Sequence, residues 1–159
     1  MRRARTTDVG AIHALVEEYP GILLDKATVA LYEDVQEFWV AERDGQIAGC
    51  GAMHVMWEDL AEVRTVAVLP AHRKAGIGHQ ILDRLLETAR DIGVSRVFVL
   101  TFEVDFFAAH GFREIDGTPV PQDVYAELLR SYDEGVAEFL NLERVKPNTL
   151  GNTRMLCVL

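Results

Sequence analysis

Between Val66 and His79 the chain reads V-A-V-L-P-A-H-R-K-A-G-I-G-H. Two adjacent cations, Arg73 and Lys74, stand just before Gly76 and Gly78. An apolar run ends at Pro70, and an amphipathic helical pattern begins at Ile77. A helix start presents unpaired N–H groups and a partial positive charge. Glycines let a ligand approach the backbone, and the two cations add full charges. Together these features suit a diphosphate. The plain alternative is an ordinary strand-to-helix turn with exposed charges. Two better-known phosphate loops do not fit. The G-x-x-x-x-G-K-[ST] string is absent, and G-x-G-x-x-G lacks its third glycine.

The elements that must position this loop follow from periodicity. Residues 2–5 suit a short strand, and Thr7 or Asp8 can cap a helix carrying Ile12, Leu15, Val16 and Tyr19 on one stripe. Pro20-Gly21 ends it, and a second helix is expected from Asp25 to Gln36. Phe38–Glu42 and Gln46–Trp57 read as strands of a hairpin turning at Asp44-Gly45, and Leu60–Leu69 is the next strand. Ile77, Ile81, Leu82, Leu85, Leu86, Ala89 and Ile92 mark a long helix that stops at Gly93. Val94–Thr101 is a compact strand, Asp105–His110 a short helix, and Phe112–Ile115 extended. A helical pattern spans Pro121–Leu140, and Met155–Leu159 closes as a strand. The expectation is one α/β (α+β) domain over residues 1–159, with a mixed, largely antiparallel central sheet flanked by helices.

The 159 residues fit a single domain, with 49% hydrophobic and 26% charged residues. Sixteen Lys and Arg against 25 Asp and Glu give a net charge of −9, which argues against nucleic acid or an anionic membrane as partner. No apolar run is long enough to span a bilayer, and the N-terminus does not read as a secretory signal. Cys50 and Cys157 lack metal-ligand spacing and suit buried thiols in a reducing cytoplasm; no metal is expected.

The string V-x-x-x-x-Arg73-x-x-Gly76-x-Gly78 between a strand and an amphipathic helix resembles motif A of the Gcn5-related N-acetyltransferases. Phe106-Phe107-Ala108-Ala109-His110-Gly111-Phe112 is similar to that family's Y-x-x-x-G-F segment, with Phe107 at the tyrosine. Within the family, Gly21–Lys26, Cys50-Gly51-Ala52, Glu62–Val68 and Asn152–Leu156 resemble the N-acetylglutamate synthases, with Phe38–Glu42 and Lys146-Pro147-Asn148 closest to their short form. The amino-acid-kinase-like domain of the long bacterial form has no counterpart here.

The resemblance implies the acyl-CoA N-acyltransferase fold, with acetyl-CoA as cofactor and an amino acid as the small-molecule acceptor. The cofactor would be held by Val66, Ala67 and Val68, by the loop Arg73, Lys74, Ala75, Gly76, Ile77, Gly78 and His79, and by Phe107. Glu62 would be the base that frees the amine, and a strand amide would stabilise the oxyanion. Phe107 cannot donate a proton, so Thr101 takes the place of the acid. Strand alternation puts Glu62, Arg64, Val66 and Val68 on one face, with Glu62 and Arg64 about 7 Å apart. Lys26, Arg64, Thr65, Asn152, Thr153 and Arg154 would meet the substrate's carboxylates, with Leu23 as a wall. Glutamate and glutamine both remain open as acceptors, as does a homodimer. The rival readings are another amine acceptor (polyamine, aminoglycoside or protein N-terminus) and a non-catalytic acyl-CoA-binding module.

Overall fold

The computed structural model describes residues 1–159. Seven strands hydrogen-bond in the order β1 (Arg2–Arg3), β2 (Phe38–Arg43), β3 (Gln46–Trp57), β4 (Leu60–Val68), β5 (Arg96–Thr101), β7 (Thr153–Val158) and β6 (Arg113–Glu114). β4 and β5 are parallel over Leu60–Glu62, whereas β1–β2, β2–β3, β5–β7 and β6–β7 are antiparallel. The expected mixed, largely antiparallel sheet with helices is therefore present. The chain divides into two units, one of Met1–His54 with Val63–Gly93, the other of Val55–Glu62 with Val94–Leu159.

The first unit holds β1 (Arg2–Arg3), α1 (Val9–Glu17), α2 (Thr28–Glu33), β2 (Phe38–Arg43), most of β3 (Gln46–Trp57), the end of β4 (Leu60–Val68) and α3 (Ile77–Asp91). Period-two alternation on β3 explains how it is covered. Cys50 and Ala52 lie in a core with Val9, Ile12, Leu15, Leu31, Phe38, Val40 and Ala67, beneath α1 and α2. Gly49 and Gly51 face α3. A Cβ on Gly51 would stand 2.6 Å from Ile81 Cγ2, and one on Gly49 would stand 2.9 Å from the Ala67 carbonyl oxygen. Only glycine permits that approach. The expected Asp8 cap of α1 takes a different form. The Asp8 carboxylate accepts the Arg5 N–H at 2.7 Å and the Arg2 guanidinium at 2.6 Å, closing the turn before the helix. The second helix is also shorter than its apolar stripe, because 24–27 run outside it and Val35–Glu37 forms a tighter turn.

The second unit holds the start of β4, β5 (Arg96–Thr101), α4 (Val104–Ala108), β6 (Arg113–Glu114), α5 (Gln122–Leu128), α6 (Glu134–Phe139), α7 (Lys146–Thr149) and β7 (Thr153–Val158). Leu60 and Phe98 pack with Val124, Leu128, Val136, Phe139 and Leu140, so α5 and α6 cover this face. The single helical pattern of 121–140 divides in two. Asp133 accepts the Val136 N–H at 2.8 Å and starts α6 as a new helix. No helix is long and apolar enough to cross a membrane.

Candidate active site

The loop after β4 is built by backbone conformations that the sequence makes available. Pro70–His72 form one tight turn with proline at its start. Lys74 and Gly76 follow at φ values of 63° and 77°, and α3 begins at Ile77. No side chain caps this helix, and its first ladder bond runs from the Gln80 N–H to the Gly76 carbonyl. The amides of Ile77, Gly78 and His79 thus lie outside the helix ladder, at the positive end of a 15-residue helix. A Cβ on Gly76 would meet nothing within 4 Å, so the loop is open on that side. Lys74 and Ala75 are exposed. A diphosphate fits this open row of donors beside two cations.

One anchor of the loop escaped sequence reading. Arg73 lies over the Tyr19 ring at 4.9 Å, and its Nε donates to the Tyr19 hydroxyl at 3.1 Å. That hydroxyl in turn donates to the Val68 carbonyl. Tyr19 reads in the sequence as one more apolar member of the α1 stripe, and nothing local signals its polar end.

Strand β4 departs from simple alternation. Thr65 has a φ of 53°, and its carbonyl faces the Cys50 thiol at 3.6 Å. Such an irregularity swaps the faces of all later residues. Val66 points to the α3 side, near Ile81 and Leu85, whereas Ala67 joins the core under α1. The parity that placed Glu62, Arg64, Val66 and Val68 on one face therefore fails beyond Arg64. The cause is the left-handed residue.

Around the first two helices, Lys26 Nζ bonds Asp34 Oδ2 at 2.9 Å, so this lysine carries a carboxylate partner already. Leu23 is half-buried against the α1 core. A second unforeseen pair is His54 and Glu37, with Nδ1 and Oε1 2.6 Å apart. The other Glu37 oxygen is buried without a partner. His54 shares the inward parity of Cys50 and Ala52, and a polar residue in that register was the available signal.

In the second unit, Glu62 is 4% exposed and pairs in parallel register with Phe98. Thr101 is also buried, and its Oγ1 accepts the Glu103 N–H at 2.8 Å. Thr153 lies opposite Thr101 on β7, which brings two hydroxyl residues together at one strand end. Asn152 donates to the Asn148 carbonyl at 3.2 Å. Arg154, expected to be open to a substrate carboxylate, instead donates to the main-chain carbonyls of Gly117, Glu138 and Phe139. Burial draws its guanidinium below the usual arginine range, against the pull of the Glu62 carboxylate. Phe107, expected at the cofactor, is buried edge-on to Phe106 and Phe112 with ring centroids 5.0 and 5.3 Å away.

A model of the acetyltransferase (GNAT) family matches residues 10–114. The amino-acid acetyltransferase of Mycobacterium tuberculosis is 64% identical, the match covering 100% of this chain and 94% of that protein. A crystal structure from M. tuberculosis in complex with CoA and NLQ superposes with a TM-score of 0.97 at 64% identity, covering 99% of this chain and 98% of that one. The N-acetylglutamate synthase of Neisseria gonorrhoeae, complexed with coenzyme A and N-acetyl-glutamate, gives a TM-score of 0.78 at 26% identity. It covers 99% of this chain and 34% of its own.

Proposed function

Because the chain belongs to the acetyltransferase (GNAT) family, we propose that it transfers the acetyl group of acetyl-CoA to the α-amino group of L-glutamate or L-glutamine, the entry step of arginine biosynthesis. The observation that carries this reading is the 64% identity, over the whole chain, to an amino-acid acetyltransferase. The uncapped, open start of α3 supports the cofactor half of it. The reading treats residues 1–159 as one catalytic domain, working in the cytoplasm where both substrates are made, as a monomer or a homodimer.

Acetyl-CoA supplies an activated acetyl group on a thioester. The amides of Ile77, Gly78 and His79, with Arg73, Lys74, Ala75 and Gly76, would hold its diphosphate. Val66, Ala67 and Val68 would line its arm, and Phe107 would be a further contact. Glu62 accepts the proton that the substrate ammonium must lose before the nitrogen can attack. Thr101 uses its oxygen to accept the Glu103 N–H, which leaves its own proton for the departing sulfur. That sulfur needs little help, since a thiol ionises near pH 8.5. Lys26, Arg64, Thr65, Asn152 and Thr153 are the candidates for the substrate's carboxylates, with Leu23 as an apolar wall.

The test is CoA release measured against amino acids, polyamines and aminoglycosides. Turnover is expected with glutamate or glutamine, and its absence with both would refute the acceptor assignment. Glu62→Gln should lower kcat by about 10²–10⁴ while CoA affinity stays unchanged. An unchanged rate would remove Glu62 from the chemistry.

A further inference from the structure

Arg73 is exposed on the loop before α3, yet its side chain is held in place. Its Nε donates to the Tyr19 hydroxyl at 3.1 Å, and its guanidinium carbon lies 4.9 Å from the centre of the Tyr19 ring. The hydroxyl continues the chain of bonds, donating its own proton to the carbonyl of Val68, the last residue of β4. Both ends of this chain are firm. The Tyr19 N–H donates to the Val16 carbonyl at 3.0 Å, its carbonyl accepts the Ile22 and Leu23 N–H groups at 3.1 Å, and its side chain packs against the core under α1. Beyond Val68, the Leu69 N–H donates to the Ala48 carbonyl on β3 at 2.8 Å.

The chemistry of the clasp separates it from a simple loop brace. A hydroxyl and an aromatic ring hold the guanidinium without cancelling its charge, whereas Lys26 is paired with the Asp34 carboxylate. The bond to Tyr19 uses Nε alone. The end-on fork that grips phosphate oxygens is made by the two terminal nitrogens. A free arginine on a loop would lose rotamer freedom on meeting a ligand, and one already fixed by the fold does not.

We infer that Tyr19 is a positioning residue for the cofactor: it presets the Arg73 guanidinium, with its full charge, for the diphosphate received at the open start of α3. This rests on the reading of that loop as the seat of acetyl-CoA. The hydroxyl is the essential part of the device, because it joins the guanidinium to the strand end from which the loop departs.

The experiment is a calorimetric titration of the full chain with CoA, arranged as a double-mutant cycle. Tyr19→Phe keeps the ring and removes the hydroxyl, and should weaken CoA binding about three- to tenfold. It should leave kcat at saturating acetyl-CoA within about twofold of the parent. Arg73→Met should weaken binding further and make affinity fall less steeply between about 50 and 500 mM KCl. In the Arg73→Met background, Tyr19→Phe should change affinity by less than about twofold. The same loss repeated in that background would show that the hydroxyl only shapes the loop, and would overturn the inference. An unaltered salt dependence in Arg73→Met would overturn it too, since the charge would not be meeting the ligand. 3′-Dephospho-CoA keeps the diphosphate, so Tyr19→Phe should weaken it by the same factor; a loss confined to CoA would put Arg73 on the ribose phosphate and refute the assignment. If Tyr19→Phe does not fold, Arg73→Lys on the exposed loop is the second variant. It keeps a charge but has no Nε donor to be clasped, so affinity should again fall about three- to tenfold, and parent-like binding refutes the positioning. A parent chain that does not bind CoA fails the cofactor reading itself, a separate result.

Discussion

Gly76→Ala tests whether the cradle before α3 depends on backbone shape alone. Gly76 has φ 77° and ψ 2°, in the left-handed region. An L-residue there costs about 1–2 kcal/mol. The new methyl adds no clash, since nothing lies within 4 Å of it. The strain can appear in two places. If the loop keeps its shape without ligand, the folded state carries the whole cost. The midpoint of thermal unfolding then falls by about 2–4 °C per kcal/mol, and CoA affinity is unchanged. If the loop relaxes when empty, stability is retained and CoA must restore the strained shape, which weakens binding about fivefold per kcal/mol. Intermediate behaviour divides one quantity, so the two losses should add up to about 1–2 kcal/mol. Calorimetric unfolding and CoA titration on the same preparation measure both. A hundredfold loss of affinity would mean that the methyl strikes the ligand, and no change in either measurement would refute the strain argument.

Three further outcomes follow from the packing and the charges. Gly51→Ala places a methyl 2.6 Å from Ile81 Cγ2 and 3.1 Å from Leu85 Cδ1, so denaturant unfolding should show a loss of about 1–3 kcal/mol. Burial pushes the Cys50 thiol up to about 12. The unfolded chain therefore releases this proton first, and stability should fall by about 1.4 kcal/mol per pH unit from roughly pH 9 upward, a slope that Cys50→Ala removes. The Arg2 guanidinium, bonded to Asp8, holds that carboxyl below its ordinary range. Its contribution is present at neutral pH and is lost on acidification below about pH 4, so Arg2→Met should flatten the acid limb of the unfolding curve.

The sequence displayed its regular elements well and its irregular ones poorly. β3 occupies Gln46–Trp57 and α3 starts at Ile77, where a hairpin turn and a one-sided apolar stripe mark the ends. The loop after β4 is equally plain, because its cations and glycines stand close together. What stayed hidden depends on contacts between distant residues. The stripe of 121–140 runs through the break at Asp133, since apolar spacing is silent about a capping carboxylate. The bulge at Thr65 carries no glycine to announce it. Lys26 and Arg154 are cations of the right type for a carboxylate, yet their nearest bonding partners, Asp34 and three carbonyls, lie 8 to 37 residues away. His54 and Glu37, 17 residues apart, meet for the same reason.

The left-handed residue at Thr65 also sets what kind of change the strand can tolerate. Downstream of it, Val66 serves one side of the sheet and Ala67 the other. Exchanging one side chain for another of similar bulk would leave both contacts in place. Deleting a single residue between Val63 and Val66 would turn the downstream segment over, presenting valine to the space that fits alanine and drawing the loop before α3 out of step with Tyr19. In this stretch the count of residues is guarded more tightly than their identity.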